Sequence, residues 1–412
     1  MYDFIVVGGG AAGMMAAGIA ARTGKKVLLL ERHNKLGIKL SISGKGRCNI
    51  TNSGDISDFM NHYGANGRFL YNAFHQFFNE DLINFFKEIG VNTKVERGGR
   101  VFPLSDDADM VVDALKRFLL HNKVEILFHK RVKQILLEKT GVRGVRTFDL
   151  ETFYGDSVLV ATGGLSYPHT GSTGDGYELL KAVGHRILKL LPSLVGLETN
   201  ESYVKDLQGL SLKNINASLL VNGKRIKSLF GEMVFTHFGL SGPVILSLSR
   251  DAAGHLADTQ SDVEVSLHLK PALDVGTLNN RLLREINGSG SRHYGNLLRE
   301  LLPKKLIPIF IMLSKIAPDK KSNQITQTER KRIIALLEDL RFTIKKTRPI
   351  EEAIVTQGGA DVSQVNPKTM ESKLVRSLYI AGEVLDIDGL TGGYNLQAAF
   401  STGYAAGISA GA

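Results

Sequence analysis

Six consecutive residues near the N-terminus have the types and spacing to bind a phosphate-bearing ligand. Gly8, Gly10 and Gly13 form a G-x-G-x-x-G run, with Gly9, Ala11 and Ala12 between them. In this pattern the first glycine permits a tight turn, the second lets backbone approach a diphosphate, and the third lets a helix pack on a strand. A helix that starts there points free N–H groups and a partial positive charge at the phosphates. Glu31 follows at the distance where an acid closes a second strand and accepts from ribose hydroxyls, with Arg32 beside it. An acid at that place favours a free 2′-hydroxyl over a 2′-phosphate. The chemistry implied is dinucleotide binding. A glycine turn without a ligand is the alternative, and Ala17, Gly24 and Glu31 at the expected spacings weigh against it.

The elements that must position these residues are legible nearby. Residues 3–7 predict a buried strand, 11–23 a helix of small residues, and 26–30 a second apolar strand. That is a β-α-β unit, whose all-apolar strands suit a parallel sheet covered on both faces. Helical spacing recurs at 81–89 and 107–121, and strands are predicted at 124–128, 131–137 and 157–161. The last of these runs into Thr162, Gly163 and Gly164. After about residue 190 short alternating runs take over, and Asn222-Gly223 between 217–221 and 224–229 signals a hairpin. Residues 273–340 read as helical, with Thr326 or Thr328 capping a helix over 330–340. A strand follows at 342–346, then another at 377–380, a glycine loop, and a closing helix from about 395. The predicted class is α/β. A discontinuous dinucleotide-binding domain (1–190 and 350–412) is interrupted by a β-rich insert (191–272 and 341–349), which itself carries a helical subdomain (273–340).

Composition narrows the function classes. The 412 residues are 43% hydrophobic and 22% charged, which excludes disorder, collagen-like and coiled-coil architectures. The lone Cys48 excludes a disulfide framework and a thiolate zinc cage, and fits a reducing, cytoplasmic setting. No H-E-x-x-H or carboxylate-rich loop occurs, so no metal is expected. The most apolar run, 306–313, contains Pro308 and is too short to span a membrane. Lys and Arg number 51 against 41 Asp and Glu, and the stretch 281–350 alone holds 16 basic and 6 acidic residues. The remainder is balanced. Such a segment is either a solvated basic surface or a platform for an anionic partner such as nucleic acid, lipid or a charged substrate. Its aromatics, Tyr294, Phe310 and Phe342, are too few for extensive base stacking.

Longer motifs carry a family resemblance. The strand 158–164, the Ala381-Gly382-Glu383 turn and Thr391-Gly392-Gly393-Tyr394-Asn395 resemble the two-dinucleotide-binding-domain flavoproteins. Together with 39–52, 171–176, 235–243, 369–373 and 381–388, they closely resemble the BaiN-like (YhiN-type) flavoprotein oxidoreductase family. The resemblance implies FAD held in a Rossmann-like α/β domain, with an inserted β-barrel and a small helical subdomain. It also implies reduction of a conjugated enone in a small organic substrate. Gly382 and Glu383 would meet the ribityl and diphosphate region, with Thr162 and Gly163 nearby. The helix after Gly392 and Gly393, with Asn395 and Leu396, would aim its positive end at the flavin pyrimidine. Lys39, Gly44, Gly46, Arg47, Asn49 and Thr51 would lie under the diphosphate and flavin, and Val132 at the adenine. Cys48 has no partner cysteine for a relay and reads as packing.

A flavin reductase of an activated C=C bond needs an acid to protonate the carbon that does not receive hydride. Tyr167, His169 and His237 are the candidates, against the plainer reading of satisfied structural side chains. No second G-x-G-x-x-G exists for a resident nicotinamide cofactor, so NAD(P)H would bind transiently. Two other readings stay open: a flavoprotein acting on RNA through 281–350, and a non-catalytic flavin-binding protein.

Overall fold

The computed structural model describes residues 1–139, 141–258, 260–288 and 292–412. The chain forms two compact units, Met1–Ser193 with Ile350–Ala412, and Leu194–Pro349.

The first unit is built on a seven-stranded sheet. Strand Tyr2–Val7 lies at its centre, parallel to Val27–Leu30 on one side and to Thr152–Val160 on the other. Glu125–Leu127 and Leu378–Ile380 extend the parallel part outward. Residues 4–7 and 27–30 are buried on both faces, which explains why they are apolar without alternation. Strand Thr152–Val160 does two jobs. Its second half pairs with Tyr2–Val7, while its first half pairs antiparallel with Gly141–Thr147, which in turn pairs with Val132–Glu138. Helix Ala11–Arg22 follows the first strand, and helix Tyr394–Gly411 packs along it. The contact is close because the second helix presents glycine there: a Cβ built at Gly403 would sit 2.4 Å from the Ala12 carbonyl oxygen. Both ends of the chain therefore meet in one core.

The second unit is a closed barrel of six strands, in the order Leu197–Thr199, Gly239–Ser241, Lys224–Phe235, Ser211–Val221, Val263–His268 and Leu340–Thr347. Asn222 and Gly223, both with positive φ, turn the central hairpin. Inward-facing Leu219, Val265 and Phe342 share one hydrophobic core with Leu278, Phe310 and Leu337 of the helical segment. Helix Gln327–Glu338 starts three residues before the expected 330, because Thr326 and Glu329 form a reciprocal capping box.

One stretch departs from the expected texture. Pro243–Leu256 is a 14-residue helix inside the region read as strands and turns. Pro243 occupies the first helical turn, where its missing N–H costs nothing, and Val244, Ile245, Leu248 and Ala252 form the buried face. Among the described residues no helix is long and apolar enough to cross a membrane.

Candidate functional site

The first unit contains an open cavity whose wall gathers sequence-distant segments. Gly8, Gly10, Ala11, Ala12, Glu31, Arg32, Lys39, Val132, Thr162, Gly163, Gly382, Glu383, Asn395 and Leu396 all line it. Gly13, Gly44, Gly46, Arg47, Asn49, Thr51, Gly392 and Gly393 do not form its wall.

The glycine run can be tested against the space around it. Gly8 has φ +106°, and a Cβ there would stand 2.6 Å from the Ala161 carbonyl oxygen. At Gly13 a Cβ would fall 1.9 Å from the Gly8 carbonyl oxygen, so only glycine lets the helix close on the turn. Gly10 differs from both. A Cβ at Gly10 would meet no protein atom within 4 Å, although the residue lines the cavity. Protein packing does not require glycine there. The space beside it, at the helix N-terminus, is open to the cavity.

Glu31 is buried and accepts the Gly9 N–H and the His33 N–H, each at 2.8 Å. Neither contact is to a cation. A carboxylate has about four acceptor sites, so two remain for ligand hydroxyls. Arg32 donates to Thr173 and to Asp175 (3.1 Å). Asp175 also takes two bonds from Arg131, at 2.7 and 2.8 Å. Burial raises the Asp175 carboxyl, but the bonds from Arg131 and the charges of Arg131 and Arg32 outweigh it and hold it below the usual carboxylate range. This clasp ties residues 173–175 over the Glu31 side of the cavity.

Glu383 is engaged differently. It accepts from the Lys39 ammonium at 2.5 Å, the Ser166 hydroxyl at 2.8 Å and the Thr356 N–H at 3.0 Å. Lys39 also donates to Ser166 at 2.6 Å. Burial pushes the Glu383 carboxyl up, yet the Lys39 charge and these bonds pull it below its ordinary value. The Thr162 hydroxyl is buried with no hydrogen-bond partner and sits close to Gly176 rather than facing the cavity.

The rest of segment 39–52 packs against the closing helix. Ser43–Lys45 break the helix Ile38–Gly46, with Gly44 and Lys45 left-handed. Asn49 accepts the Gly393 N–H at 2.9 Å and donates to the Thr51 and Val101 carbonyls. Thr51 donates to Gln397 at 2.5 Å, and Asn52 donates to the Gly392 carbonyl at 3.1 Å. Asn395 braces its own turn through Gly389 and Leu390. Arg47 is spent on Glu96 and Asp106, its guanidinium 4.0 Å from the Phe102 ring centroid. Cys48 is fully buried, which pushes its thiol up to about 12 and leaves it inert.

None of the three proton-donor candidates forms the cavity wall. His169 is exposed and edge-on to Tyr167, with ring centroids 5.9 Å apart. Tyr167 has φ +52° immediately before Pro168, a left-handed backbone that a pre-proline tyrosine rarely adopts. His237 belongs to the barrel unit, where it is exposed beside Phe238. Ser166, Thr356 and Gln397 carry no local sequence signal, whereas Asp175 lay within the 171–176 motif without an assigned role. Among the described residues no group of three or more His, Cys, Asp or Glu is placed to hold a metal ion.

The comparisons with known proteins agree with this architecture. The family described as HI0933-like protein Rossmann domain matches residues 2–409. A 3-dehydro-bile acid delta(4,6)-reductase from Clostridium scindens is 32% identical over 408 residues, covering 98% of each chain. A ribosomal RNA dihydrouridine synthase from Haemophilus influenzae is also 32% identical, over 98% of this chain and 97% of that one. Among solved structures, a 3-ketosteroid delta1-dehydrogenase from Sterolibacterium denitrificans shares the fold, with TM-score 0.53, 14% identity and coverage of 100% of this chain and 99% of that one. Matched from one end to the other by that family, the chain belongs to the HI0933-like flavoproteins and is an FAD-dependent oxidoreductase.

Proposed function

We propose that the cavity holds FAD and that the protein reduces a C=C bond conjugated to a carbonyl in a small organic substrate. The observation that carries the cofactor reading is the Gly10 wall beside a carboxylate, Glu31, that bonds only backbone N–H groups. Support for the reaction comes from the two relatives. By name, one reduces a delta(4,6) bile acid and the other makes dihydrouridine. In a 3-oxo-4,6-diene and in uracil alike, the bond that is saturated is polarised by a conjugated carbonyl.

The chain's own residues divide the work. Gly8, Gly10, Ala11 and Ala12 receive the diphosphate, with the helix N-terminus supplying partial positive charge. Glu31 accepts from the ribose, Val132 meets the adenine, and the segment around Lys39 and Glu383 faces the ribityl chain. When bound, the flavin supplies the hydride chemistry; the protein supplies orientation and a proton. Tyr167 and His169, in the same unit as the cavity, are the proposed donors. The strained Tyr167 backbone favours the Tyr167–His169 pair, because strain of that kind concentrates at functional sites. NAD(P)H serves as a transient reductant.

A second reading is that the polarised C=C belongs to a uridine in RNA. The barrel unit, residues 194–349, holds 23 basic and 15 acidic side chains, and this excess favours an anionic partner. One screen separates the two: the flavin-loaded protein with NADH or NADPH is offered small enones and, in parallel, unmodified ribosomal RNA. Turnover of enones that is indifferent to salt supports the first reading. Dihydrouridine formation that falls steeply with salt supports the second. Purified protein that carries no flavin and takes up none from added FAD overturns both.

A further inference from the structure

The Lys39–Glu383 pair poses an electrostatic question that the motifs leave unanswered. Gly382 lies against the first turn of helix Ala11–Arg22, where a Cβ built on Gly382 would come 2.9 Å from the Ala12 Cβ. The next residue, Glu383, holds its carboxylate among Lys39, Ser166 and the Thr356 N–H, on the wall of the same cavity. A bare carboxylate beside a diphosphate would repel it. Lys39 answers this directly, at 2.5 Å from Glu383 and 2.6 Å from Ser166. Both side chains line the cavity and keep partial exposure to it, 27% for Lys39 and 18% for Glu383.

We propose that Lys39 is a positioning residue that cancels the charge of Glu383, so that a carboxylate can stand on the cavity wall without repelling the cofactor's diphosphate. On this account Lys39 acts through Glu383 and is not itself a phosphate ligand. Two of its three N–H groups are already spent on Glu383 and Ser166. The titratable groups facing Glu383 are Lys39 and the buried Tyr177 phenol, which burial pushes above its ordinary value and so keeps neutral. The inference rests on FAD being the ligand of this cavity.

The test is an FAD titration of the full chain, followed by flavin fluorescence, on wild type, Lys39→Met, Glu383→Gln and the double variant, with thermal melts as a check on folding. Lys39→Met should weaken FAD binding about tenfold or more, since it leaves a buried charge unpaired. Glu383→Gln gives up what the carboxylate offers the ribityl chain but should weaken FAD binding less than Lys39→Met does, and the double variant should return to within about threefold of Glu383→Gln, because a compensated pair is non-additive. A merely structural lysine would not reproduce the second readout. Without its counter-ion, the Glu383 carboxyl should titrate upward under burial. Binding to Lys39→Met should then recover between pH 8 and 5.5, where wild type and the double variant stay flat. A double variant as weak as Lys39→Met would mean that Lys39 holds FAD directly, and an unaffected Lys39→Met would remove its role altogether. Either result overturns the proposal. Failure of wild type to bind FAD would instead remove the cofactor reading on which it rests.

Discussion

The two units use charge in different ways. The cofactor-cavity unit holds 28 basic and 26 acidic side chains, close to neutral. Yet its charges are placed individually: Glu31 on backbone N–H groups, Asp175 between two arginines, Glu383 on Lys39. The barrel unit carries a net excess of eight positive charges, and many of its basic side chains, such as Lys331 and Lys345, are exposed. The contrast separates two kinds of recognition. A site for one ligand comes from a few oriented groups with their bonds assigned, whereas a net surface charge gives attraction without address.

If that division is right, substitutions in the first unit should act on the flavin and those in the second should not. The largest effect is expected at Gly393. Its φ is +100°, and a Cβ would stand 2.3 Å from the Thr51 carbonyl carbon and oxygen. Gly393→Val should destabilise the protein by roughly 2–6 kcal/mol, combining backbone strain with overpacking. FAD content should drop, and whatever flavin remains should have a lower midpoint potential, because the positive helix end is displaced. Urea midpoints, flavin absorbance and a potentiometric titration read these three quantities. An unshifted potential at full occupancy would mean that this helix does not end at the flavin.

Glu31→Ala comes next. Loss of charge-assisted bonds to the ribose should weaken FAD binding by about 10–100-fold. Glu31 also has a structural role that its place in the motif does not announce, since it accepts the Gly9 and His33 N–H groups. Stability should therefore fall as well, by about 1–3 kcal/mol for the donors left unpaired. Equal FAD affinity in variant and wild type would break the ribose assignment.

Charge reversal at Lys331 and Arg332 should leave flavin content and enone turnover within about twofold, since surface charges act weakly on stability and site alike. Arg332 donates to the Ser314 carbonyl at 2.9 Å, so a small fall in melting temperature is expected, worth about 1 kcal/mol. Loss of RNA turnover alone in this variant would mark the barrel unit as the anionic-partner surface.

The smallest effect concerns pH. Asp175 and Glu383 both titrate below their ordinary values in the folded protein. Their stabilising contributions are therefore complete above the unfolded carboxylate range, near pH 4, and are lost only as pH falls through the depressed values. Melting temperature should show no loss from these two groups between pH 8 and 5.5.

What sequence could and could not reveal follows the range of the contacts. The fingerprint turn and the Asn222-Gly223 hairpin are local, and their backbone requirements are written in adjacent residues. Segment 39–52 shows the limit. Only its beginning reaches the cavity wall, through Lys39, Leu40 and Ser43. Asn49, Thr51 and Asn52 instead bond to 392–397, more than 330 positions away in the chain. No periodicity reports such a pairing. Arg47 looks like a phosphate donor in isolation, and only the folded chain brings Glu96 and Asp106 to it. The helix Pro243–Leu256 was hidden for a different reason, since its start signal, Gly242-Pro243, also reads as a turn.

The central claim is that flavin in this cavity delivers reducing equivalents to a conjugated C=C bond. Its most direct test is an anaerobic half-reaction. The purified protein, loaded with FAD, is reduced chemically, mixed with an α,β-unsaturated ketone, and followed at the oxidised-flavin absorbance band. The account predicts reoxidation in step with one equivalent of saturated ketone, or of dihydrouridine when RNA is the acceptor. Reduced flavin that persists in the presence of both acceptors, yet reoxidises on admission of air, would contradict it.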